Sequence, residues 1–198
     1  MTSPDDIDAL LNSIDDGVEA PTPAELDALV ASLADRDGIA PLVEAVLAAP
    51  LDWQADDPEA LGLRGFDLTA ATAEWWDFSP GKIRMYLDDR QPIRLWCTAL
   101  QIVHEDASPA LAERIWVALE QAFHQTVAHI SGIEGRPIGV WAWDEPDAPD
   151  DHNGALVAEW QREDVRIRLT AEDDPDIDLH ILALQLEVHA GSVSGVER

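Results

Sequence analysis

The chain has 198 residues, 46% of them hydrophobic, which is enough to bury one core of ordinary domain size. Its 40 acids against 12 bases leave a formal charge of −28. Such a field repels nucleic-acid phosphates and anionic lipid heads along the whole approach path, so neither nucleic acid nor a membrane surface is an expected partner. It attracts a basic protein instead, and steering of this kind speeds association by about ten- to a thousandfold at low salt.

Residues 1–22 read as an acidic N-terminal segment carrying a short amphipathic helix. Two related strings lie in this part of the chain, SPDDIDALLNSIDD and TPAELDALVASLAD. Each opens with a hydroxyl N-cap, Ser3 or Thr22, followed by proline at the first helical position and acids in the first turn, where they favour the helix dipole. Ile7, Leu10, Leu11 and Ile14 recur at helical spacing, as do Leu26, Leu29, Val30 and Leu33. The linker DDGVEAPTP between the strings predicts mobility for the first copy, while the second is expected to dock on its own domain. The string DDIDALLNS resembles the short peptide at the start of flagellar motor switch proteins that a chemotaxis regulator binds. That likeness spans the string alone.

From residue 23 onward the sequence predicts one domain built from a unit that occurs twice, over 23–105 and 106–198. Three anchors hold the two copies together: Ala73-Glu74-Trp75 on Ala158-Glu159-Trp160, Ile83-Arg84-Met85 on Val165-Arg166-Ile167, and Ala99-Leu100-Gln101 on Ala183-Leu184-Gln185. A helix precedes each copy, at 42–49 and at 109–130. Ile83, Met85 and Leu87 alternate with Lys82, Arg84 and Tyr86, and Val165, Ile167 and Leu169 alternate with Arg166 and Arg168, which is strand periodicity. The stretches 95–103 and 179–188 are apolar on both faces, so both are expected to be central strands. Leu111, Ile115, Leu119, Ala122, Phe123 and Ile130 form the stripe that covers them. The fold class that follows is α+β, with a duplicated helix-plus-antiparallel-strands unit forming one antiparallel sheet and helices packed on one face.

Chemistry-bearing residues are sparse. The six histidines are scattered, and His124 and His129 do not share a helix face. The acidic loops DEPDAPDD and EDDPDID lack the glycine and glutamate of a calcium-binding helix-loop-helix. Cys97 and His104 lie on one strand, over about 20 Å apart if extended, beyond nucleophile-to-base reach. Asp106 or Ser108 is the expected cap of the helix at Pro109. No glycine-rich phosphate loop, nucleophile elbow or metalloprotease motif occurs, so no catalytic residue, metal or cofactor is expected. The lone Cys97 excludes an internal disulfide. The opening MTSPDDIDALLNS has neither a basic nor an apolar region of a secretory signal, and no apolar run approaches membrane-span length. Cytoplasmic location is the expectation.

Arg84, Arg94, Arg166 and Arg168 concentrate on the predicted sheet, where cross-strand pairing with acids is their expected role. Tryptophan is more informative, with eight Trp against one Tyr and three Phe. Trp75 and Trp160 occupy aligned positions and are expected to share a packing role. Adjacent strand residues face opposite ways, so one of Trp75 and Trp76 leaves the inner face. Trp76, Trp141 and Trp143 are the expected partner-contacting rings, with Asp144, Glu145 and Asp147 beside the last two.

The pattern LDWQADDPEALGL, followed by strands and a long helix in a small acidic chain, resembles uncharacterised actinobacterial families encoded among polymorphic toxins. That resemblance implies an immunity or inhibitor protein that neutralises a basic toxin or enzyme domain. A secretion chaperone or adaptor holding a client is the alternative, and a small enzyme or ligand-binding domain with a pocket between helix and sheet a second.

Overall fold

A computed structural model describes residues 39–79, 82–104, 109–150, 154–163, 165–175 and 180–190. The N-terminal segment, its two predicted helices and the Asp106 or Ser108 cap lie outside the described residues. The described chain runs α1 (Ile39–Ala48), β1 (Asp67–Ala71), β2 (Trp75–Ser79), β3 (Lys82–Asp88), β4 (Gln91–His104), α2 (Pro109–Glu134), β5 (Gly139–Ala142), β6 (Leu156–Arg162), β7 (Val165–Pro175) and β8 (His180–Ala190). It is an α+β fold with one eight-stranded sheet in the order β1-β2-β3-β4-β8-β7-β6-β5. Every neighbouring pair is antiparallel.

Two four-stranded meanders meet at β4 and β8, which are central as expected, but only their inner faces are apolar: Thr98 and Gln101 of β4 and Gln185 and Glu187 of β8 turn outward. Strand alternation then sorts the side chains. On the inner face, Phe78 lies opposite Ile83, Trp76 opposite Met85, Met85 opposite Leu95, Leu95 opposite Val188, Val188 opposite Ile167 and Ile167 opposite Trp160. This continuous apolar row packs against Ile115, Leu119, Ala122, Phe123 and Ile130 of α2 and Val43, Val46 and Leu47 of α1 in a single core. Both helices therefore cover the same face.

Local chemistry fixes the ends of the elements. α2 stops at Gly135, whose φ of 87° is open to glycine and strained for other residues, and whose N–H donates to Ser131. The Trp160 indole donates to the Gly135 carbonyl at 3.2 Å, tying that helix end to β6. Arg162, at the end of β6, donates to the Leu47 carbonyl of α1 at 3.0 Å and to both carboxylate oxygens of Glu134 at the end of α2. One side chain thus joins three elements. The loop bearing LDWQADDPEALGL folds back on itself, the Asp52 N–H donating to the Leu61 carbonyl at 2.8 Å. It delivers Ala55, Leu61 and Leu63 to the core and leaves Asp56 and Asp57 in water. Gly62 is required there, because a Cβ would come within 2.6 Å of the Pro50 carbonyl oxygen.

Register revises the residue matching between the halves. Trp76 faces Met85 and Trp160 faces Ile167, so the inner-face counterpart of Trp160 is Trp76 rather than Trp75. Leu95 stands opposite Met85 and Val188 opposite Ile167, while Leu100 and Leu184 pair with each other across the centre of the sheet. The β3–β4 connection is a two-residue turn and the β7–β8 connection is longer, which displaces the last strand of one meander against that of the other.

Candidate protein-contact surface

The sheet's outer face is polar and aromatic. A row crosses it from Asp77 through Arg84, Trp96, Glu187 and Arg168 to Glu159. The arginines pair with acids across strands, as their distribution predicts. Arg84 bonds both carboxylate oxygens of Asp77, at 2.7 and 3.0 Å, and its guanidinium lies 4.5 Å from the Trp75 ring centroid. The Asp77 hydrogen bond holds the Arg84 guanidinium above its ordinary pKa against the opposing effect of burial. Arg168 donates to Glu159 at 2.7 Å with both residues 3% exposed, and Arg166 approaches the same carboxylate at 4.0 Å. Glu187 sits 2.6 Å from His189 Nε2 and 3.9 Å from Arg94. Burial alone would raise the Glu187 pKa, but the His189 hydrogen bond and the charges of His189, Arg94 and Arg168 outweigh it and hold the carboxyl below its usual range.

Cys97 lies on the inner face of β4, fully buried, where desolvation pushes its thiol up to about 12. It stays protonated at neutral pH and is no nucleophile. Among the described residues no group of three or more His, Cys, Asp and Glu is placed to hold a metal, and no helix is long and apolar enough to cross a membrane.

Of the six expected contact residues, Trp143 and Glu145 line a common recess, Trp141, Asp144 and Asp147 lie outside its lining, and Trp76 is in the core. Trp76 is a correction: it is 4% exposed, packed into the core on the inner face of β2. Its neighbour Trp75 takes the outward position, because pairing of Trp76 with Met85 turns Trp76 toward the helices. Trp141 lies on the outer face of the edge strand β5, opposite Val157, half-buried. Its indole folds over Gly139, where a Cβ would collide with the ring. Trp141 and Trp143 have the spacing of two residues on one face of a short strand, which the sequence suggests for them, but β5 ends at Ala142 and Trp143 opens the following loop.

That loop is held at its base. Trp143 N–H donates to the Ala155 carbonyl at 3.0 Å, and Ala155 N–H donates to Ala171 at 2.8 Å. Glu145 N–H donates to Ala142 at 3.1 Å and Ala148 N–H to Glu145 at 3.0 Å, two successive turns that hold the loop open. Asp144, Glu145 and Asp147 are exposed, and Trp143 is 72% exposed, the most open of the large apolar side chains. Trp143, Glu145, Asp150 and Asp173 with Pro146 and Pro149 line a recess of about 700 Å³. None of its described lining residues is basic. Ile138 and Val140, at the start of the β5 edge and away from this recess, are 50% and 40% exposed.

The sequence missed Asp173, which β7 brings to this recess from beyond the loop, and it gave no reason to single out Gln185. Alternation marks Gln185 as outward on β8, but only the sheet register shows what it meets. Comparison of the chain with family models, with curated proteins and with solved structures finds no match in any of the three.

Proposed function

We propose that this chain is a protein-binding module that captures a basic partner at the β5–β6 loop, acting as an immunity or inhibitor protein in the cytoplasm rather than as an enzyme. The observation that carries this reading is Trp143, 72% exposed on the rim of a recess lined by Glu145, Asp150 and Asp173. An indole held open on an anchored loop combines apolar area with little loss of side-chain freedom, which is the profile of an interface anchor. The surrounding carboxylates and the net charge of −28 favour a cationic surface and speed its encounter. Asp144, Asp147 and Trp141 extend the contact on either side.

The test uses the full chain as bait in lysate of its native host, beside Trp143→Ala and Asp150→Lys variants of equal stability. A basic protein recovered in one-to-one complex by the parent, inhibited by it and lost from both variants, is the expected outcome. Recovery of the same proteins by all three baits would sink the reading. Rescue of an aggregating client without inhibition would favour the chaperone instead.

We also infer that the two meanders arose by duplication of a helix-plus-strands unit. The recurrence of one helix followed by four antiparallel strands supports it, as do the inner-face tryptophans Trp76 and Trp160 at matching places opposite Met85 and Ile167. Relatives whose halves are no more alike at these positions than elsewhere would count against it.

A further inference from the structure

On the other half of the sheet, away from the β5–β6 loop, the outer face of β2, β3, β4 and β8 encloses a second recess of about 390 Å³. Trp96, Thr98, Gln101 and Gln185 form one side and the Asp77–Arg84 pair the other. A bulge in β4 between Thr98 and Leu100 builds this lining. It returns Leu100 to the inner face and sets Gln101 outward, one residue later than strict alternation from Thr98 would place the next outward neighbour.

The polar groups here can be followed atom by atom. Asp77 and Arg84 satisfy each other through two hydrogen bonds, so the pair offers no net charge. The Trp96 indole N–H donates to Gln185 Oε1 at 2.9 Å. An indole N–H can only donate, so this bond fixes which way the amide points: its oxygen is engaged and its two Nε2 hydrogens remain as donors. Gln185 is 8% exposed, and no described residue accepts a hydrogen bond from Nε2. The Gln185 amide hydrogens are not cut off from solvent, so a ligand oxygen in the recess would take the place of water on them.

From this geometry we propose a binding site for a small, uncharged, planar molecule carrying a carbonyl or amide oxygen, which accepts from Gln185 Nε2 while its ring lies against the Trp96 indole. The recess volume is within the range of small-molecule sites and suits one or two fused rings. An anion is disfavoured by the charge of −28, and a cation would have to shed water beside the Arg84 guanidinium. This site is independent of the protein-contact reading, since no residue is common to the two recesses.

The test is a titration of the ¹⁵N-labelled full chain with benzamide, followed at the Gln185 side-chain amide and the Trp96 indole N–H, with benzoate as the charged control. Saturable shifts of both signals are expected with benzamide, at a Kd on the order of 1–10 mM for so small a probe. Benzoate should move neither. Gln185→Leu should abolish the benzamide response while the backbone spectrum is kept. If that variant does not fold, Trp96→Phe serves instead, and binding should weaken at least about threefold as the stacking surface and the amide's orientation are lost. Unmoved Gln185 and Trp96 signals up to about 50 mM benzamide, well above the expected Kd, would overturn the site. Equal binding of benzoate, or an unchanged Kd in the folded variant, would do so too.

Discussion

Trp75 and Trp76 are chemically identical neighbours with opposite fates, and the difference is purely one of strand parity. Trp76 meets Met85 under the helices, while Trp75 lies outward beneath the Arg84 guanidinium. Removing the buried ring should leave a cavity, so Trp76→Ala is expected to lower stability by about 3–5 kcal/mol. Trp75→Ala should cost about 1 kcal/mol, the scale of a half-exposed cation–π contact. Urea unfolding of the two variants measures both. A smaller loss for Trp76 than for Trp75 would reverse the assignment of faces. The sequence established that one of the pair points inward, but a shift of register by one residue exchanges the two without disturbing the pattern. Trp143 was singled out in the sequence because tryptophan is so abundant in this chain and so enriched at contact surfaces. Its true exposure depended on β5 ending one residue earlier.

At the scale of elements, the β3–β4 hairpin turns through Asp89 and Arg90 at φ of 46° and 68°, both left-handed and neither glycine. This two-residue turn matches the twist of its strands but strains the residues that make it. Arg90→Gly should therefore raise stability by about 0.5–1 kcal/mol, read as a higher urea midpoint at unchanged slope. No change, or a loss, would mean that the Arg90 side chain contributes more than its backbone strain costs. The buried Glu159–Arg168 pair joining β6 to β7 points the other way. Glu159→Ala leaves two guanidinium groups, Arg168 and Arg166, without that carboxylate, and should cost about 3–5 kcal/mol in the same assay. Element types were readable because period and length speak for themselves: α2 and the two central strands emerge from their apolar runs. That Leu100 and Leu184 would meet directly across β4 and β8 was not readable, because it depends on the pairing of two strands far apart in the chain.

For the molecule as a whole, the carboxylates set the response to pH. Glu187 has a folded-state pKa below its ordinary value, so ionisation of this group stabilises the fold at pH above the ordinary carboxylate range. That contribution is lost as pH falls through the depressed folded value. The stability gap between the parent and Glu187→Gln should be full near neutrality and shrink as pH falls below the ordinary carboxylate range toward the depressed folded value, and comparing the two chains cancels the other carboxylates. A gap that widens on acidification would show that Glu187 is not held in its ionised form.

What the sequence determined by itself was whatever depends on neighbours along the chain. The acidity, the alternation of β3 and β7, the apolar stripe of α2 and the central places of β4 and β8 are all of this kind. Only the tertiary structure decided which tryptophan faces inward, that Gln185 would receive the Trp96 indole from 89 positions away, and that Asp173 would join the loop bearing Trp143. The physical reason is register: a strand's period fixes which residues share a face, but hydrogen bonding between strands fixes which residues meet, and that is settled by the whole sheet at once.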